Sequence, residues 1–198
     1  MKIILASGSP RRRQLLTLAG IPHEVIVTGV DETISGAPDY QVRELALRKG
    51  NAVLPLIPPE INDPIIIAAD TLVYVNGEVL GKPESPEDAF QMLKKLQGKP
   101  HRVYTGVALI RPANKDTSTI SFVDNTTVHF RPLSDQEINA YIATGEPFDK
   151  AGAYGVQERG AVLVNRVEGD FYTVVGLPIA KVCTALAKLG YNTWGQQQ

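Results

Sequence analysis

Cysteine, methionine, tryptophan and histidine are all scarce in this 198-residue chain, which has one Cys, two Met, one Trp and three His. A single cysteine excludes any disulfide within the chain, and Cys183, set in the apolar stretch 179–189, reads as core filling rather than a reactive thiol. His23, His101 and His129 show no metal-ligand spacing, which argues against zinc chemistry and against a Ser-His triad. Excess charge is missing as well. With 20 basic and 21 acidic side chains and a formal charge of −1, no broad electropositive field exists to hold polymeric nucleic acid or an anionic membrane, so any polyanion must be gripped locally. No apolar run approaches a membrane span, and the opening run 1–6 is too short for a signal peptide; the expectation is a cytoplasmic protein.

What the sequence does have is ample core material, 43% hydrophobic residues, arranged with mixed periodicity. Strands are expected at 3–6, 23–28, 65–69 (ending at Asp70-Thr71), 102–110, 120–130, 161–167 and 171–175. Helices are expected at 10–20, 39–53, 85–98, 134–145 and 179–189, several opened by Ser caps or Pro and closed by Gly. Asn76-Gly77 marks a tight hairpin, residues 55–64 form a Pro-rich surface connection, and a polar loop falls around 113–118. There is no internal repeat and no linker, so the chain reads as a single mixed α/β domain over 1–198.

Arg11-Arg12-Arg13 stands at the start of a predicted helix, where the macrodipole favours negative charge. A bound anion would resolve that conflict: Ser7, Ser9, helix-start N–H groups and an arginine fork could converge on phosphate. The plainer reading is solvated arginines with Ser9 as an N-cap. Asp70 closes the most apolar predicted strand. A carboxylate facing a nucleotide needs a cation between them, and Mg²⁺ or Mn²⁺ with its preference for oxygen ligands would supply it, with Glu32 a second ligand; the alternatives are a strand-end cap and a solvated loop acid. Lys49 and Lys82 read by themselves as surface lysines, although Gly81 and Pro83 constrain the turn that carries Lys82. In the small-residue loop 149–157, Gln157 offers a donor and an acceptor to a base edge, the alternative being an ordinary turn packed by Tyr154.

Taken in order, Ala6-Ser7-Gly8-Ser9-Pro10-Arg11-Arg12, Asp31-Glu32, Lys49, Ala69-Asp70-Thr71, Gly81-Lys82-Pro83, Tyr104-Thr105-Gly106, Asp149-Lys150-Ala151-Gly152-Ala153-Tyr154-Gly155 and Val175-Gly176-Leu177-Pro178 resemble the Maf family of nucleotide pyrophosphatases across nearly the whole chain. The resemblance implies an elongated mixed central β-sheet flanked by helices, two lobes around a cleft as in inosine triphosphate pyrophosphatases, and a homodimer. It further implies hydrolysis of a nucleoside triphosphate to monophosphate and pyrophosphate with a divalent cation. By motif, Asp70 would be catalytic and, with Glu32, would hold the metal. Ser7, Ser9, Arg12, Lys49 and Lys82 would hold phosphate, and Arg12, Thr71 and Gln157 match positions linked to substrate choice. The 149–157 segment resembles the dTTP/UTP branch rather than the 7-methyl-GTP branch. Rivals are a pyrophosphatase for modified purine nucleotides and a non-catalytic nucleotide-binding regulator of septum formation. Three departures stand out: Gly50 in place of alanine, Glu158 in place of glycine, and Asp170-Phe171-Tyr172-Thr173 in place of a Ser-Tyr-x-Asn run. Whether Asp70 would act as a base or by placing the metal and its water stays open.

Overall fold

The computed structural model describes residues 1–113 and 117–195, so residues 114–116 of the expected polar loop lie outside the described residues. The strands are β1 (Lys2–Leu5), β2 (His23–Val25), β3 (Pro64–Val75), β4 (Glu78–Leu80), β5 (Pro100–Arg111), β6 (Ser118–Phe130) and β7 (Val164–Glu168). The helices are α1 (Pro10–Leu18), α2 (Pro38–Val53), α3 (Pro86–Leu96), α4 (Asp135–Ile142), α5 (Phe171–Val175) and α6 (Ile179–Lys188). The seven strands form one mixed sheet in the order β2-β1-β3-β5-β6-β7, with β4 paired to β3. β1 is parallel to β2 and β3, whereas β4 and β7 run antiparallel to β3 and β6. The mixed α/β architecture expected from the sequence is therefore present.

The chain divides into two compact units, residues 1–70, 105–124 and 176–198 in the first and 71–104 and 125–175 in the second. In the first unit, β3 continues the register of β1, with Ile3, Ile4 and Leu5 opposite Ile65, Ile66 and Ile67. The run is buried on both faces, which is why it reads as continuous hydrophobicity rather than alternation. Ile66 and Ala68 join Ile4, Ala6, Val53 and Ile110 in one apolar cluster. The second unit has its own core, in which Val73 and Val75 of β3 belong with Leu93 and Leu96 of α3, Ile138 and Tyr141 of α4, Phe130 and Tyr154.

Local signals account for most element ends. Ser9, Ser85 and Ser134 cap α1, α3 and α4, the last as a reciprocal capping box with Glu137. Asn76 and Gly77 both take positive φ, 51° and 86°, as a two-residue hairpin turn demands. Four expectations need correction. β3 does not end at Asp70 but runs to Val75, because Leu72, Val73 and Val75 continue its buried row and a charged side chain leaves the backbone ladder intact. β2 stops at Val25, opposite Leu5, the last residue of its partner β1. Residues 171–175 form a short helix, not a strand: the Asp170 carboxylate accepts from Tyr172 N at 3.0 Å and from Thr173 Oγ1 at 3.3 Å, a cap that overrides the strand-favouring composition. Likewise 161–163 belongs to a 3₁₀ turn, Glu158–Leu163, and the strand that pairs with β6 begins only at Val164 and runs to Glu168.

Candidate active site

Two glycines seat the helix that carries Lys49. A Cβ on Gly106 of β5 would lie 2.2 Å from the Val42 carbonyl oxygen, so α2 packs backbone-to-strand there. Eight residues further along α2, a Cβ on Gly50 would meet Ile110 Cδ1 at 2.8 Å and Ala68 Cβ at 3.4 Å. The glycine at position 50 thus leaves room for the Ile110 side chain. Ala68 lies two residues before Asp70, hence on the same face of β3. With Gly50 held against Ala68, the neighbouring Lys49 meets Asp70.

Lys49 Nζ lies 2.6 Å from Asp70 Oδ1 and 2.9 Å from Glu32 Oε1. Two carboxylates therefore converge on one ammonium. Lys49 and Asp70 are mostly withdrawn from solvent, with side chains 18% and 13% exposed, whereas Glu32 is 62% exposed. The loop that brings Glu32 in is tied to the same helix. Arg48 Nη1 donates to the Asp31 and Thr33 carbonyls at 3.3 Å, and Asp31 Oδ1 accepts from Thr33 N at 2.8 Å. That last bond holds the exposed Asp31 carboxyl below the usual carboxylate range.

The helix-start arginines do not behave alike. Arg13 is exposed, as the plain reading has it, but Arg12 turns inward. Its Nε donates to the Gly176 carbonyl at 2.8 Å and its Nη1 to Ser7 Oγ at 3.0 Å. Ser7, buried, also accepts from Ser9 N at 3.3 Å, and Ser9 Oγ caps the Arg12 amide at 3.5 Å. Burial lowers the Arg12 guanidinium from its ordinary pKa, opposed by the negative charge of Asp70 and, more weakly, of Glu32. Ser7, Ser9, Arg12, Glu32, Lys49 and Asp70 are thus brought together in the first unit. The anchor at Gly176, in the Val-Gly-Leu-Pro motif, was assigned no role from the sequence; a carbonyl 164 residues away leaves no local signal.

The second unit holds Thr71, Lys82 and Gln157. The turn bearing the exposed Lys82 is joined to the 149–157 loop: Gly152 N donates to the Gly81 carbonyl at 2.9 Å. Gly152 has φ +69°, and a Cβ there would strike Val73 Cγ2 at 2.8 Å, so the Ala-Gly-Ala run must lie flat on β3. Gln157 is half-buried.

Hard oxygen donors at Asp70 and Glu32, already converging on a positive charge, suit a divalent cation. Among the described residues no group of three or more His, Cys, Asp or Glu gathers as a metal site. Asp70 and Glu32 are the two residues that would hold such a cation.

In the first unit a carboxylate–ammonium–carboxylate cluster and an arginine–serine cluster thus stand on one mixed α/β frame. The family model for Maf-like proteins matches residues 2–189. A dTTP/UTP pyrophosphatase of Bacillus cereus is 49% identical over 96% of this chain and 97% of its own. One from Bacillus anthracis is 48% identical with the same coverage. A solved nucleoside-triphosphatase / dITP/XTP pyrophosphatase from Mycobacterium abscessus aligns over 96% of this chain and 98% of its own, at a TM-score of 0.45 and 11% identity, too distant to carry an argument. The chain belongs to the Maf family.

Proposed function

We propose that the protein is a nucleoside triphosphate pyrophosphatase that hydrolyses dTTP and UTP to the monophosphate and pyrophosphate. The observation that carries the reaction class is the convergence of Asp70 and Glu32 on Lys49 within the electrostatic reach of Arg12. The choice of base is supported by near-full-length relatives named dTTP/UTP pyrophosphatases. Asp70 and Glu32 would hold Mg²⁺ or Mn²⁺, which when bound would act as a Lewis acid that offsets phosphate charge.

Asp70 orients the attacking water and takes its proton. The water oxygen bonds to the α-phosphorus; the bond from that phosphorus to the α–β bridging oxygen breaks, and its electron pair leaves with pyrophosphate. Arg12 and Lys49 would offset the charge that grows on the leaving group, the main demand of phosphoryl transfer, and the family resemblance gives Lys82 the same role. Ser7 and Ser9 position the phosphates, while Thr71 and Gln157 meet the nucleoside. The protein acts in the cytoplasm, a reading supported by its single cysteine, and as the homodimer that the family resemblance implies. Among the described residues no helix is long and apolar enough to cross a membrane.

The test is Asp70→Asn, assayed for pyrophosphate release from dTTP and UTP with Mg²⁺ or Mn²⁺. Loss of a positioned base should cut turnover about 10²–10⁴-fold; near-normal turnover would sink the assignment. A parallel panel of dTTP, UTP, CTP, GTP and 7-methyl-GTP fixes the base preference.

A further inference from the structure

The 3₁₀ turn Glu158–Leu163 starts immediately after Gln157, which occupies its N-cap position yet makes no capping bond with its side chain. A cap residue ordinarily accepts from the second or third N–H of the turn. Here those N–H groups are satisfied from elsewhere: Arg159 N donates to Glu146 Oε2 and Gly160 N to Glu146 Oε1, both at 3.1 Å. Glu146 Oε1 also accepts from the Tyr141 hydroxyl at 2.9 Å, and that hydroxyl accepts from Gly155 N at 3.2 Å. The two ends of the 155–160 loop are therefore clamped by one carboxylate–phenol pair. They also touch directly, since a Cβ on Gly160 would fall 2.0 Å from the Gly155 carbonyl oxygen. Glu158, the residue between Gln157 and the clamp, is held at φ +55°, a conformation a non-glycine residue keeps only when its surroundings impose it.

We infer that Glu146 is a positioning residue for base selection: by capping the 158–163 turn in place of Gln157, it leaves the Gln157 amide free to read the substrate's base. This rests on the reading above that Gln157 meets the nucleoside. Without the Glu146 carboxylate the Arg159 and Gly160 N–H groups lose their acceptor, and the Gln157 side chain, at the N-cap position, is placed to take over the capping. Capping then competes with the substrate for the same amide. A glutamine at 146 keeps one acceptor oxygen but turns a donor NH₂ toward the other N–H, so its effect is intermediate.

The experiment measures kcat and KM for dTTP, UTP, CTP and GTP on the wild type, Glu146→Ala, Glu146→Gln, Tyr141→Phe, Gln157→Ala and the Glu146→Ala/Gln157→Ala double variant. Backbone amide exchange over 155–160 is followed alongside. Loss of one base-reading hydrogen bond corresponds to about a tenfold rise in KM for dTTP and UTP, with kcat held within about twofold. The preference over CTP and GTP narrows to match, Glu146→Gln and Tyr141→Phe fall between wild type and Glu146→Ala, and the double variant is no worse than Gln157→Ala. Amide exchange at 159 and 160 rises in Glu146→Ala. A drop in kcat common to all nucleotides with preference intact would overturn the proposal, as would an additive double variant. If Glu146→Ala does not fold, Glu146→Gln and Tyr141→Phe decide by the same criteria. Unchanged preference in Gln157→Ala alone would instead refute base reading by Gln157, a failure recognisable without any Glu146 variant.

Discussion

Lys49 faces two acids, but the two contacts differ in weight. Glu32 is largely in water, where an ion pair contributes only about 0–1 kcal/mol. Asp70 is mostly shielded, so its bond to Lys49 dominates and its loss leaves a carboxylate with little solvent to turn to. Replacing Lys49 with Met should therefore cost about 1–3 kcal/mol in urea unfolding without divalent metal. Mg²⁺ or Mn²⁺ should restore part of that loss, because a metal on Asp70 and Glu32 supplies the missing positive charge. Unchanged stability, or a variant blind to metal, would contradict the arrangement. Glu32→Gln should lower metal affinity while barely moving stability. Cys183, by contrast, is half-buried, and burial pushes its thiol up, in keeping with an inert side chain.

At the scale of elements, α2 is placed by what β5 lacks. A methyl group on Gly106 cannot fit against the Val42 carbonyl without lifting the helix. Gly106→Ala should destabilise by about 1–3 kcal/mol, the usual cost of overpacking. Turnover should fall further than stability explains, since α2 carries Lys49; intact activity at temperatures where the variant is fully folded would refute the coupling. The sequence shows the motif Tyr104-Thr105-Gly106 but not its reason, which is a contact between residues 64 positions apart. Elements fixed by neighbouring residues were legible: the Ser9, Ser85 and Ser134 caps, the Asn76-Gly77 hairpin and the β-branched run of β3. Misreadings arose where a local signal competed with something outside the window. The apolar run 65–69 breaks at Asp70 in the sequence although the strand does not, and the composition of 171–175 favours a strand over the helix that the single Asp170 cap starts. The site residues of the first unit could be nominated from the sequence. That Lys49 bridges Asp70 and Glu32, and that Arg12 is anchored on Gly176, depends on tertiary contacts no pattern encodes.

At the scale of the whole molecule, each compact unit carries its own core, and the second contains a buried histidine, His101. His101 is buried against Phe130 and Tyr154, with Nε2 2.7 Å from the Tyr154 hydroxyl. Burial pulls its pKa from 6.5 down to about 4. A base depressed on folding stabilises fully above its unfolded pKa, and that contribution is lost as pH falls toward the folded one. Unfolding free energy should accordingly drop by about 3 kcal/mol between pH 6.5 and pH 4. The paired substitution His101→Phe with Tyr154→Phe, which leaves no orphan hydroxyl, should flatten that part of the profile in urea titrations; an unaltered slope would place the sensitivity elsewhere. The continuity of β3 through Asp70 has a practical side. Its ladder is made by backbone atoms, so exchanging the carboxylate for an amide leaves the strand in place and, on the proposed role of Asp70, removes only the chemistry. An Asp70→Asn protein is thus suited to serve as a trap, holding an unreacted nucleotide long enough for crystallography to show which atoms of the base are touched.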